Sequence, residues 1–210
     1  MLAPEGRHRL AAVLEDARRR GMLGPGPVEA HLEHAERLAR EVDPGFEGRF
    51  VDLGSGAGVP GLILLVAWPG AHGTLLDARR RRCWFLETAV REVGVTGRAA
   101  VACGRAEEAA RRPALRGSLD LVVARGFGPP ATTAECAVGF LRPGGRLVVS
   151  EPPDDEDEGR WPPDRLRELG LSGPEIRGGD QGHFAILTAE GPPASRWPRR
   201  AGVPARRPLW

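Results

Sequence analysis

The residues best suited to chemistry lie in one short segment, Val51 to Gly61, which reads VDLGSGAGVPG. Gly54, Gly56 and Gly58 permit a sharp backbone turn and leave room for a ligand at the end of a strand. A side chain at Gly56 is expected to fill that loop and abolish binding. Glycine-rich turns of this kind also open a helix N-terminus to the pyrophosphate of a dinucleotide. Asp52 shifts the balance, because a carboxylate two residues before Gly54 is awkward beside a pyrophosphate. It suits a cationic, amino-acid-bearing ligand instead. No second glycine-rich loop and no hydride-handling constellation accompanies it. Asp77, in TLLDA, ends the second expected strand 23 residues after Gly54. A carboxylate there reaches the ribose hydroxyls of a bound nucleoside, in dinucleotide and adenosylmethionine folds alike. It can also cap the helix that follows, and the glycine loop upstream favours the ribose role.

Two further segments extend this reading. GRAEE puts Ala106 and Glu107 just after a strand, where such folds flank an adenine ring; Glu107 equally suits the first turn of a helix, where the dipole favours an acid. SLDLVVAR ends on Arg125 at the top of another strand. Arginine can offer a planar fork to a phosphate or carboxylate there, or it is a surface charge at a strand end. Asp120, near the start of that strand, reads as structural.

The elements that must position these residues follow from periodicity. Arg7 to Arg20 and Val28 to Val42 carry helical apolar stripes, separated by the breaker Gly21 to Pro27. Strands are expected at Arg49 to Leu53, Gly73 to Asp77, Arg98 to Cys103, Leu119 to Ala124 and Arg146 to Ser150. Helices are expected between them, at Val59 to Ala67, Arg80 to Val93, Ala106 to Arg111 and Ala131 to Leu141. Trp161 to Leu169 reads as helical, and Gly173 to Arg177 with His183 to Ala189 as a terminal antiparallel pair. Alternating strands and helices predict an α/β protein with a doubly wound, mostly parallel sheet. The expected organisation is an N-terminal helical cap over residues 1–48, a Rossmann-like core over 49–190 and a basic tail over 191–210, one folded domain overall.

Composition narrows the class. The chain has 210 residues, of which 41% are hydrophobic and 28% charged. That composition excludes a disordered chain, and the longest apolar run, Gly61 to Trp68, is too short to cross a bilayer. Without an apolar signal core the expected location is the cytoplasm. Cys83, Cys103 and Cys136 are odd in number and widely spaced, which fits free thiols better than disulfides or a metal site. Every basic residue is arginine, and the net charge is +2. The charge is uneven. Asp154 to Glu158 reads DDEDE, while the closing stretch carries Arg196, Arg199, Arg200, Arg206 and Arg207 with Trp197 and Trp210. Such a tail can hold phosphates and stack on bases, or it is a solvated terminus. The run Arg79, Arg80, Arg81 and Arg82 has the same two readings, RNA contact or solvated helix face.

Taken together, VDLGSGAGVPGL, TLLDARRRRCWFLE, GRAEE, the strand ending in VVAR and LRPGGRL resemble the GidB-type (RsmG) family. Pro60 and the run Arg79 to Arg82 before Phe85, Leu86 and Glu87 are more specific than the glycine loop. The resemblance runs from about Val28 to Trp210. Ala30 to Leu38, with His31 or His34, resembles the family's histidine-containing helix, and WPRRAGVPARRPL its basic tail. What the resemblance implies is a Rossmann-like class I methyltransferase fold, S-adenosyl-L-methionine as cofactor and N7 of a guanine in 16S ribosomal RNA as acceptor. It assigns Gly54 and Val59 to the cofactor from the loop, Asp77 to the ribose, Ala106 and Glu107 to the adenine side and Arg125 to the mouth of the site. Asp52, Gly56 and Gly58 complete the expected cofactor set. Arg79 to Arg82, Arg199, Arg200, Arg206 and Arg207 are the expected RNA contacts, no metal is expected, and the protein is expected to act as a monomer on ribosomal RNA or the small subunit. The sequence departs from the family where SEPPDDEDEG replaces a lysine-glycine pair after the fifth strand, where GFGPPATT follows Arg125, and in a short N-terminal region. These departures keep two other readings open: a methyltransferase acting on a different RNA or a small molecule, and a catalytically silent RNA-binding scaffold.

Overall fold

Short apolar runs bounded by glycine or proline become strands, and the amphipathic stretches between them become helices. The computed structural model describes residues 2–152, 159–179 and 182–210. The acidic run Asp154 to Glu158 lies outside the described residues. The chain divides into two compact units, Met1–Cys103 and Gly104–Trp210.

The first unit contains α1 (Pro4–Arg19), α2 (Val28–Val42), β1 (Arg49–Leu53), α3 (Gly61–Ala67), β2 (His72–Asp77), α4 (Arg80–Glu92) and β3 (Ala99–Cys103). Its strands run parallel in the order β3-β2-β1, with Asp52 opposite Leu75 and Asp77 opposite Cys103. Leu10, Val13, Leu14 and Ala17 line the buried stripe of α1, and Leu32, Ala35 and Leu38 that of α2. Residues 1–48 therefore belong to the body of this unit. Gly6 lets α1 approach α3, since a Cβ there would lie 2.9 Å from Val66 Cγ1. Arg7 joins the two N-terminal helices through ion pairs to Glu29 and Glu36. Below β1, Trp68 packs against Phe46 and Phe50 at ring separations of 4.9 and 5.9 Å. Arg98 donates to the carbonyls of Leu65, Trp68 and Ala71 and so closes the C-terminal end of α3.

The second unit contains α5 (Ala106–Ala109), β4 (Leu119–Ala124), α6 (Pro130–Val138), β5 (Leu141–Glu151), α7 (Pro163–Leu169), β6 (Leu171–Gly179), β7 (Gly182–Ala189) and α8 (Val203–Arg206). The strand order is β4-β5-β7-β6; β4 and β5 are parallel, and β7 is antiparallel to both β5 and β6. The α/β class, the mostly parallel pairing and the terminal antiparallel pair are as expected. Several boundaries differ by a few residues, among them the helix expected to Leu141, which ends at Val138, and two have a clear local cause. The helix expected from Val59 begins at Gly61, because the Gly58 and Val59 N–H groups both close back on the Ser55 carbonyl. The strand expected from Arg146 begins at Leu141, because Leu141 already pairs with Leu119 ahead of the glycine turn.

Residues 191–210 are not a solvated arm. Trp197 is buried, and Arg116 donates to the carbonyls of Pro193, Ala194 and Trp197. Thr132 donates to the Pro204 carbonyl, and the Trp210 indole to that of Arg160. The segment is part of the second unit. Among the described residues, no helix is long and apolar enough to cross a membrane.

Candidate cofactor site

The loop after β1 is built around three left-handed glycines, Gly54, Gly56 and Gly58, with φ of 72°, 57° and 89°. L side chains avoid this region because Cβ crowds the carbonyl, at about 1–2 kcal/mol per residue. At Gly58 space is short as well, since a Cβ would stand 2.7 Å from Leu62 Cβ. At Gly56 a Cβ would meet no protein atom nearer than the Gly54 carbonyl at 3.7 Å, so within the protein the demand for glycine is its φ, and the space beside it stays open.

Two carboxylates hold the loop. Asp52 lies beneath it, 1% exposed. Its Oδ2 accepts from Ser55 Oγ at 2.6 Å and from the Gly61 N–H at 3.0 Å, tying the turn to the first residue of α3. Gly61 must be glycine for this, because a Cβ would fall 2.6 Å from both Asp52 and Leu75. Burial pushes the Asp52 carboxyl up to about 6, against the Ser55 and Gly61 hydrogen bonds, and the nearby Asp77 charge adds to the rise. Its Oδ1 is buried without a partner. Asp52 thus has a structural duty that sequence reasoning, which took it for a ligand contact, did not foresee. Ser55 was missed altogether, although an Asp-x-x-Ser turn is a local signal for it.

Asp77 ends β2 and faces the loop from the side. Its Oδ2 accepts from the Gly56 N–H at 3.0 Å and from Arg82 Nη1 at 3.3 Å, and its Oδ1 from the Arg79 N–H at 2.8 Å. The same carboxylate therefore ties the entry of α4 to the glycine loop. The Cys83 thiol donates to the Asp77 carbonyl at 3.3 Å, and burial raises its pKa to about 12, so it is no nucleophile at neutral pH. Val59 is half-buried at the end of the loop.

The arginine run divides. Arg79, Arg80 and Arg81 are exposed, whereas Arg82 turns inward to Asp77. Arg82 is corrected accordingly from a free RNA contact to a partner of the loop carboxylate.

In the second unit, Ala106 and Glu107 are both buried at the start of α5. Glu107 Oε1 accepts from the Gly202 N–H at 2.7 Å, so this side chain also secures the C-terminal segment. Arg125 follows β4; its Nη1 is buried with no partner, and burial lowers its pKa. A guanidinium in that condition is suited to receive an anionic group. Arg199, expected to contact RNA, is committed elsewhere. It meets the fully buried Glu135 through Nε at 2.8 Å and Nη2 at 2.6 Å, and its own N–H donates to the same carboxylate at 2.8 Å. Arg200, Arg206 and Arg207 remain exposed. Glu135 was not singled out from sequence, and its partner 64 residues away gives no local signal.

Residues 28–166 match the family model GidB, described as rRNA small subunit methyltransferase G. The chain is 35% identical over 185 residues to ribosomal RNA small subunit methyltransferase G of Moorella thermoacetica, covering 82% of this chain and 73% of that protein. It is 37% identical over 202 residues to the Symbiobacterium thermophilum protein of the same name, covering 87% and 80%. Among solved structures, the O-methyltransferase from Bacillus cereus in complex with SAH superposes with a TM-score of 0.61, at 14% identity, over 87% of this chain and 90% of that one. That last likeness is one of fold alone. The chain belongs to the rRNA small subunit methyltransferase G (GidB) family.

Proposed function

We propose that the protein transfers a methyl group from S-adenosyl-L-methionine to N7 of a guanine in 16S ribosomal RNA. The observation that carries the cofactor half is the loop of left-handed glycines hydrogen-bonded to the Asp77 carboxylate. The backbone there has no side chain to fill it, and its flanking carboxylate suits vicinal hydroxyls. When bound, the cofactor supplies a methyl group already activated on a sulfonium.

The chain's own residues then bind and orient. Gly54 and Val59 would line the loop contact, and Asp77 would accept the ribose hydroxyls. Ala106 would flank the adenine, beside Glu107, which also anchors Gly202. Arg125 would hold an anionic group, a carboxylate or a phosphate. Asp52 keeps the loop in shape from below. Guanine N7 carries a free lone pair at neutral pH, so no base need withdraw a proton. Rate enhancement rests on positioning, worth up to ~7–11 kcal/mol in ideal cases. A guanine edge bearing N7 is reached in a loop or distorted segment rather than a regular RNA helix. Arg79, Arg80, Arg81, Arg200, Arg206 and Arg207, all exposed, would contact phosphates, an affinity that falls with salt. The reading includes a monomer acting in the cytoplasm on ribosomal RNA or the small subunit.

The test is methyl transfer from isotopically labelled S-adenosylmethionine to unmethylated small subunits and to free 16S RNA, followed by nucleoside mass spectrometry. Label in 7-methylguanosine is expected. Label in another nucleoside, or only in small molecules of an extract, would move the acceptor. No transfer despite cofactor binding would leave a silent scaffold.

A further inference from the structure

Trp84 lies two residues beyond the arginine run on α4 and is 67% exposed. Tryptophan is on average a well-buried residue; among the described residues only Ile176 is a comparably exposed large apolar side chain. Its neighbours at helical spacing are Arg80 and Arg81, four and three residues earlier. Arg81 is held in place by donating to the Arg20 carbonyl at the end of α1, at 3.0 Å. Beside these residues, within the first unit, lies a cavity of about 250 Å³ lined by Arg20, Arg81, Trp84 and Phe85. Two acids also line it: Asp16, already paired with Arg19 and Arg20 at 3.0 and 2.6 Å, and Glu92, two turns along α4 from Trp84.

Helix stability does not account for this arrangement. The first turn of α4 contains no acid and three arginines, where the positive end of the helix dipole disfavours cations. An anion at this position relieves that repulsion, and an exposed indole beside it offers a face to a planar ring. A nucleotide uses both features, the base on the indole and the phosphate on the cations.

We propose that Trp84, with Arg80 and Arg81, forms a stacking subsite for an unpaired nucleotide of the RNA substrate, on the outer face of α4. It rests on the RNA reading above. Arg82, on the same first turn, faces Asp77, so the helix would present its inner side to the cofactor site and its outer side to the nucleic acid.

The test measures binding of a short fluorescein-labelled single-stranded RNA, and of a blunt duplex of equal length, by fluorescence anisotropy. Trp84→Ala is expected to weaken single-strand binding by about five- to a hundredfold, the range for loss of one base stack, and to leave the duplex unaffected. Trp84→Phe should retain most of the affinity. Arg80→Glu with Arg81→Glu should flatten the salt dependence. Thermal melting and titration with S-adenosylhomocysteine serve as folding controls. Unchanged single-strand affinity in Trp84→Ala, with RNA still bound, would overturn the subsite alone; so would an equal loss on the duplex. No RNA binding by the wild-type protein that still binds S-adenosylhomocysteine would overturn the RNA reading and the subsite with it.

Discussion

Asp52→Asn tests whether the buried carboxylate beneath the loop works as described. Burial raises its pKa from 3.8 to about 6 in the folded protein. Below pH 4 the group is protonated in both the folded and unfolded states and costs nothing. Between pH 4 and 6 the unfolded state ionises while the folded state retains its proton, so stability falls as pH rises. Above pH 6 the loss is constant, at about 3 kcal/mol from 1.36 kcal/mol per pH unit. Asparagine does not titrate, and its carbonyl can still accept from Ser55 and Gly61. Its amide would occupy the place of the unpartnered Oδ1, a buried donor without an acceptor, at about 1–3 kcal/mol. The variant should therefore be less stable than wild type at pH 4.5 and close to it at pH 7.5. Urea denaturation at the two pH values measures the difference directly. Between them the wild type should lose about 2 kcal/mol of stability relative to the variant, since about 1 kcal/mol of the total is already lost at pH 4.5. Parallel curves would show that Asp52 is ionised in the folded protein at both pH values, and would refute the burial argument.

Gly58→Ala forces a Cβ at φ 89° to within 2.7 Å of Leu62; melting should fall by more than the about 1–2 kcal/mol of backbone strain alone, and affinity for S-adenosylhomocysteine should fall with it. Asp77→Asn should weaken that affinity by about 1.5–3 kcal/mol, the usual worth of hydrogen bonds to a charged group, as read by calorimetry. Glu135→Gln removes the buried partner of Arg199, which is itself 27% exposed; about 2 kcal/mol is expected after discounting the buried-pair figure for solvent, with earlier proteolysis of the C-terminal segment. Arg200→Gln, Arg206→Gln and Arg207→Gln together should lower the salt slope of RNA binding. Deleting the segment would be a poorer test, since it also uncovers the contacts of buried Trp197.

The strands and the cofactor loop were legible because their signals are local. Leu119 to Ala124 is an unbroken apolar run, and three alternate glycines after a strand have few other uses. The bond from the Arg79 N–H to Asp77 was legible from the place of Asp77 before a helix. The division of the arginine run was not, because four successive cations look alike until the helix turns one of them towards Asp77. The C-terminal segment misled for a related reason. Its composition is that of a solvated basic arm, but Glu135 on α6 and Glu107 on α5 lie far off in sequence and hold it through Arg199 and Gly202. Tertiary partners of charged residues leave no periodicity to read.

The most direct test of the central claim is calorimetric titration of the purified protein with S-adenosylhomocysteine, with NAD as the comparison. The loop and Asp77 predict saturable binding of S-adenosylhomocysteine and none of NAD. Binding of NAD in preference, or of neither, would contradict the assignment of the site.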